Sequence, residues 1–83
     1  MKGVRHDLPA GTGYHELAVG EYGKAADGKF YCRTPDGRIG GLANHTITEH
    51  EDGTITVSPS ILVDSGNGER WHGFLERGVW RAC

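Results

Sequence analysis

Residues 45–61 read HTITEHEDGTITVSPSI, and the register of this stretch decides the fold. Thr, Ile and Val dominate it, and β-branched residues suit a pleated, half-buried surface better than a helix. Two strands are therefore expected, with a turn at Glu51-Asp52-Gly53. A two-residue turn at Asp52-Gly53 would set Ile47 against Ser58 and Thr48 against Val57, mixing apolar and polar side chains on each face. A three-residue loop of Glu51, Asp52 and Gly53, with Gly53 left-handed, instead pairs His50 with Thr54, Glu49 with Ile55, Thr48 with Thr56, Ile47 with Val57 and Thr46 with Ser58. The faces then separate. Ile47, Ile55, Val57, Pro59 and Ile61 point to a core, while Thr46, Thr48, His50, Thr54, Thr56, Ser58 and Ser60 form a polar face. Pro59 has no N–H to give a ladder, so the second strand meets an edge or a bulge there.

On the N-terminal side, Glu21 to Arg33 reads as another hairpin, turning at Asp27-Gly28. A two-residue register places Ala25, Phe30 and Cys32 on one face and Tyr22, Lys24, Tyr31 and Arg33 on the other. Thr34-Pro35-Asp36-Gly37 is a type I turn signal leading into a short strand around Arg38 to Leu42. There Gly40 and Gly41 suit a bend or a close backbone approach. Residues 1–20 are weakly patterned and read as an irregular arm, with one helical turn started by Asp7-Leu8-Pro9-Ala10 at most and a strand near His15 to Val19.

On the C-terminal side, Asp64 to Glu69 reads as a mobile polar loop open to proteolysis. Arg70 to Cys83 is a last hairpin turning at Arg77-Gly78. It groups Trp71, Leu75, Trp80 and Ala82 inward, and His72, Phe74, Glu76, Val79 and Arg81 outward. The two tryptophans should anchor the core. The whole is expected to be one small all-β domain over residues 1–83: an antiparallel meander of about six or seven strands, closed as a barrel or a compact sandwich.

A chain of 83 residues with 14 glycines has room for one modest core and many turns. No apolar run approaches the roughly 20 residues of a transmembrane helix. The first residues lack the apolar centre of a signal peptide, so the expected setting is a cytoplasm, or a particle assembled there. Cys32 and Cys83 are the only cysteines, too few for a disulfide framework. Charge is uneven: residues 43–69 hold Glu49, Glu51, Asp52, Asp64 and Glu69 without Lys or Arg. The basic C-terminus, with Arg70, Arg77 and Arg81, is expected to attract that segment.

Patterns that carry chemistry are sparse. Five histidines suggest a metal, but there is no CxxC, HxxxH or HExxH spacing, and His45 and His50 fall on opposite faces of a strand. The metal alternative is Cys32, His50 and His72 meeting through tertiary contact; the primary expectation is no metal and no cofactor. No nucleophile elbow and no phosphate-cradling loop is present, so no enzyme is expected. Tyr22, Lys24, Tyr31 and Arg33 form an alternative single-strand nucleic-acid patch, opposed by the net charge of −2.

The runs FYCRTPDG, EHEDGTITVSPSI and WHGFLERGVW, in that order, resemble a group of small uncharacterised bacteriophage and prophage proteins. In these a DGTITVSPSI-like hairpin precedes a WHGxLxxGxW-like one. The resemblance spans Phe30 to Trp80 and leaves out the first 20 residues. More distant members carry Cys and His in ligand spacing that this chain mostly lacks. The resemblance implies a phage-type source and hairpin fold, and no activity. The resulting expectation is a non-catalytic binding protein in the host bacterial cytoplasm that engages or inhibits a host protein. Its surface would be Thr48, Glu49, His50, Glu51, Asp52 and Thr56, the acids steering it toward a basic partner. The alternative is a virion or assembly component acting as a homo-oligomer through an exposed strand edge or an aromatic face.

Overall fold

One turn device recurs three times and sets three of the six strand registers. In the computed structural model, which describes residues 1–64, 66 and 68–83, the loops 26–28, 35–37 and 51–53 each end in Asp-Gly and close identically. The residue before each loop donates its N–H to the carbonyl after it: Ala25 to Lys29 at 2.8 Å, Thr34 to Arg38 at 2.8 Å and His50 to Thr54 at 2.9 Å. Each glycine N–H returns to the carbonyl before the loop, and only the glycine is left-handed, at φ 84°, 93° and 86°. Each aspartate Oδ1 accepts the N–H of the residue after the glycine, at 2.9, 3.4 and 3.0 Å. These are three-residue loops with a glycine bulge.

The strands are β1 (Val4–Arg5), β2 (Glu21–Lys24), β3 (Phe30–Arg33), β4 (Ile39–Gly41), β5 (Thr46–Glu49), β6 (Ile55–Asp64), β7 (Arg70–Glu76) and β8 (Val79–Ala82). They form two four-stranded sheets, ordered β1-β2-β3-β4 and β5-β6-β7-β8. The all-β expectation therefore holds, but the closed barrel and the single meander of six or seven strands do not. The chain leaves one sheet after β4 without pairing β4 to β5, and β1 runs parallel to β2.

In the second sheet the central hairpin has the expected register, from Thr46 with Ser58 to Glu49 with Ile55. The last hairpin turns on Arg77 and Gly78, both left-handed (φ 46° and 76°), and pairs Glu76 with Val79 and Leu75 with Trp80. Trp71, Leu75 and Trp80 are buried as expected, the two indoles meeting edge to face at 5.4 Å; Ala82 is exposed. Pro59 departs from expectation and is exposed. Val57 pairs with Leu75 and Ile61 with Gly73, so β6 advances from 57 to 61 while β7 moves only from 75 to 73. Residues 58–60 thus stand opposite Phe74 alone, two more than a regular ladder holds, and this bulge turns Pro59 outward; the Ser58–Pro59 bond is cis.

In the first sheet the β2–β3 expectation was one residue out. Tyr22 pairs with Cys32, Gly23 with Tyr31 and Lys24 with Phe30. A two-residue turn would need Asp27 left-handed as well as Gly28, and Asp27 is not. The slip turns Tyr22 inward, where it is 1% exposed. The core joins both sheets: Tyr22, Phe30, Cys32 and Leu42 cluster with Ile55, Val57, Ile61, Trp71, Leu75 and Trp80. Gly40 makes its close approach to a side chain, since a Cβ there would lie 2.7 Å from Val63 Cγ2.

Residues 1–8 are an ordered link between the sheets, contrary to the irregular arm expected. Met1 exchanges backbone bonds with Trp80, and the Gly3 N–H donates to Gly78 O, beside an antiparallel bridge from Lys2 to Val79. Beyond Val4 the same segment crosses to β2, with His6 N–H on Tyr22 O at 2.8 Å and Leu8 N–H on Lys24 O at 2.9 Å. Glycine makes both contacts possible, because a Cβ on Gly23 would lie 2.0 Å from His6 O and one on Gly3 2.9 Å from Gly20 O. Trp80 Nε1 donates to that Gly20 carbonyl at 2.8 Å, tying the junction to the core.

The strand expected at His15 to Val19 is instead a 3-10 turn over Tyr14–Glu16 followed by a turn at Val19-Gly20, closed by the Glu21 N–H on Ala18 O at 2.9 Å and by the Ala18 N–H on Glu21 Oε1 at 2.7 Å. Residues 9–11 carry only a turn. Of the polar loop expected at Asp64 to Glu69, Ser65 and Asn67 lie outside the described residues. No helix among the described residues is long and apolar enough to cross a membrane.

Candidate interaction surface

The β5–β6 hairpin holds every residue of the expected partner surface, but it divides them between its two faces. Thr48 pairs with Thr56 across the ladder, and both face outward with His50. His50 Nε2 lies 2.7 Å from Thr56 Oγ1, which also accepts the Arg77 N–H at 3.0 Å. The imidazole is thus anchored between the hairpin and the β7–β8 turn. Glu49, one residue on, belongs to the opposite face.

There Glu49 Oε1 accepts from Arg5 Nη1 at 3.0 Å, and the same nitrogen donates to Gly53 O at 3.2 Å. Arg5 Nε binds Asp7 Oδ1 at 2.8 Å, and its guanidinium lies 5.4 Å from the centre of the Phe30 ring. One cation therefore fastens the hairpin tip to the first sheet. Its pKa is raised, first by Asp7 and then by Glu49 against the opposing effect of burial, while Arg5 holds the Asp7 carboxyl below the usual range. Asp52 is also engaged within the hairpin: its Oδ1 takes the Thr54 hydroxyl at 2.6 Å and the Thr54 N–H at 3.0 Å, which lower its pKa in that order. Glu51 is exposed at the tip.

Glu49, His50, Glu51, Asp52 and Arg77 line one hollow, and Arg70 stands opposite Asp64 in the β6–β7 ladder, so two cations of the C-terminal hairpin reach the acidic segment. The broader attraction expected from the basic C-terminus takes another form. Glu49 pairs with Arg5, Glu69 with Arg38 at 3.3 Å, and Arg81 with Glu76 of its own hairpin at 2.6 Å. The chain order of the charges does not follow their tertiary neighbours.

A second hollow opens on the outer side of the β6 bulge, lined by residues 56–60 with Phe74, Glu76 and Arg81. Arg81 sits 5.1 Å from the Phe74 ring centre, and His72 Nε2 lies 2.9 Å from Ser60 Oγ. Alternation already placed His72, Phe74, Glu76 and Arg81 outside, so these neighbours were within reach of sequence reasoning but were not joined to the hairpin.

The alternative sets are not assembled. Tyr22 is buried, and with Lys24 it lies on the face opposite Tyr31 and Arg33, which breaks the nucleic-acid patch. Arg33 is held by Leu17 O and Gly37 O. Tyr31 instead stacks on Tyr14 at 5.4 Å, a partner that no local pattern announced. Of the metal set, Cys32 is fully buried and its thiol is pushed up to about 12 by burial. His50 and His72 bond to Thr56 and Ser60, and among the described residues no three His, Cys, Asp or Glu side chains converge as metal ligands. His45 Nε2 donates to Ser60 O at 3.2 Å, which leaves its buried Nδ1 unpartnered among the described residues.

The backbone of β5 is as informative as its side chains. Because His50 and Thr54 form a hydrogen-bonded pair, alternation makes Thr48 with Thr56 and Thr46 with Ser58 the next such pairs. The N–H and C=O of Ile47 and Glu49 therefore point away from β6. β5 ends its sheet, so among the described residues no strand receives them. Compared with protein-family models, curated proteins and solved structures, the chain matches none.

Proposed function

We propose that the chain is a non-catalytic binding module of bacteriophage type, which engages and inhibits a host bacterial protein from the cytoplasm through the outer face and tip of the β5–β6 hairpin. One observation carries this reading. Thr56 Oγ1 is held between His50 Nε2 and the Arg77 N–H, with Thr48 across the ladder from it and the exposed Glu51 close by. A surface ordered before contact loses less conformational freedom on binding. Glu51 supplies a charge for steering, while Glu49 and Asp52 mainly hold the hairpin.

The test is capture of the partner from expressing bacteria by the tagged chain, read by native mass spectrometry. A stoichiometric host protein should accompany the unaltered chain and be lost with Glu51→Lys, which leaves folding intact. Undiminished capture by Glu51→Lys, or by His50→Ala, would sink the reading. A second reading, an assembly component acting as a homo-oligomer, is favoured by the unpaired outer edge of β5.

A further inference from the structure

We infer that two copies of this chain pair through β5, antiparallel and centred on Ile47, joining two four-stranded sheets into one. This rests on the homo-oligomer reading and adds the surface and the register. The free backbone groups of Ile47 and Glu49 fix which residues can form hydrogen-bonded pairs across the new edge. A two-fold axis that keeps inward side chains with inward ones must pass through a residue, either Ile47 or Thr48.

Centred on Ile47, the pairing is self-complementary. Ile47 exchanges both backbone bonds with its counterpart, Thr46 faces Thr48, and Glu49 faces His45. The Glu49 N–H meets the His45 carbonyl of the second copy, which accepts no backbone N–H among the described residues, although the His45 N–H is committed to Leu42 O at 3.0 Å. Centred on Thr48, Ile47 would instead lie against a Glu49 carboxylate already paired with Arg5. Antiparallel pairing also sends the tips that carry Glu51 and Asp52 to opposite ends, so no carboxylate meets another. The strand has four residues, and so small an interface gives a concentration-dependent dimer.

Sedimentation equilibrium of the unaltered chain tests the association, and cross-linking tests the register. The expected result is a reversible monomer–dimer equilibrium that shifts toward dimer up to millimolar concentration. In a Cys83→Ser background, Thr46→Cys mixed with Thr48→Cys should oxidise to a covalent heterodimer. Those positions form non-hydrogen-bonded pairs with Cα atoms about 4.5 Å apart, within disulfide reach. Self-cross-linking of Thr48→Cys would overturn the Ile47 register while leaving the homo-oligomer reading standing. A dimer in which neither combination cross-links would remove the interface from β5. A chain that stays monomeric throughout would overturn both, even if a foreign strand from a captured partner protected the Ile47 and Glu49 amides from exchange.

Discussion

The two sheets are of equal strand number and share one core, yet they were built by different kinds of information. Within each hairpin, β2–β3 and β3–β4 as much as β5–β6 and β7–β8, the register follows from turn chemistry, and in β5–β8 the side chains also alternate cleanly outside residues 58–60. In β1–β4 the decisive contacts come from residues far apart in sequence: Gly23 under His6, Gly20 against Trp80, and Arg5 against Glu49. The lesson is that a hairpin carries its own address, whereas a linking segment takes its structure from the surfaces it joins.

The sharpest way to break this contrast is at Gly23. Gly23→Val should cost at least about 3 kcal/mol in urea unfolding, because the side chain would drive residues 6–8 off β2 and overpack the junction. Gly41→Val in the same sheet should cost far less, since a Cβ there has Tyr31 only at ordinary contact distance, 3.6 Å. Equal losses would mean that the N-terminal segment does not lie on β2.

Next in size is Leu8→Ala. Leu8 is 2% exposed and Leu75 is fully buried, so each truncation should cost about 2–5 kcal/mol. A Leu8 loss below about 0.5 kcal/mol, in the range of an ordinary surface change, would return residues 1–8 to the status of a loose arm.

Gly28→Ala and Gly53→Ala compare the same loop in the two sheets. Both glycines are left-handed with open space around the missing Cβ, so each replacement should lower stability by about 1–2 kcal/mol from backbone strain alone. Thermal unfolding giving very different losses would show that the loops are not equivalent.

The smallest expected effect concerns acid. The folded-state pKa values of Asp7, Glu21 and Asp52 are depressed: by Arg5 foremost, by the Ala18 N–H foremost and by the Thr54 hydroxyl foremost. Their stabilisation is present above the ordinary carboxyl pKa values and is lost as pH falls below 4.5 for Glu21 and then 3.8 for the aspartates. Asp7→Asn with Glu21→Gln should flatten the acid limb of a stability–pH curve in the first sheet's contribution, and Asp52→Asn in the second's. An unchanged acid limb in all three would contradict these pairings.

Much of the candidate surface was legible because outward and inward residues alternate along β5–β8. The failures have one physical character. Tyr22 reads as an exposed aromatic until the loop is seen to spend three residues, Ala26, Asp27 and Gly28, where Asp27-Gly28 alone suggests two. Glu49 reads as part of an acidic tip until Arg5, distant in sequence, takes its carboxylate. Tyr14 has no pattern around it that announces Tyr31.

The amino-acid order alone already specifies the strands of the second sheet, the β5–β6 and β7–β8 pairings, an edge or bulge at Pro59, and the inward setting of Trp71, Leu75 and Trp80. These follow from side-chain period and turn chemistry, which act within a few residues. Only the tertiary structure decided that there are two sheets, that residues 1–8 tie them together, and that Arg5 closes the hairpin tip. Those contacts depend on which distant surfaces come to face one another as one core is buried, and no local period encodes that.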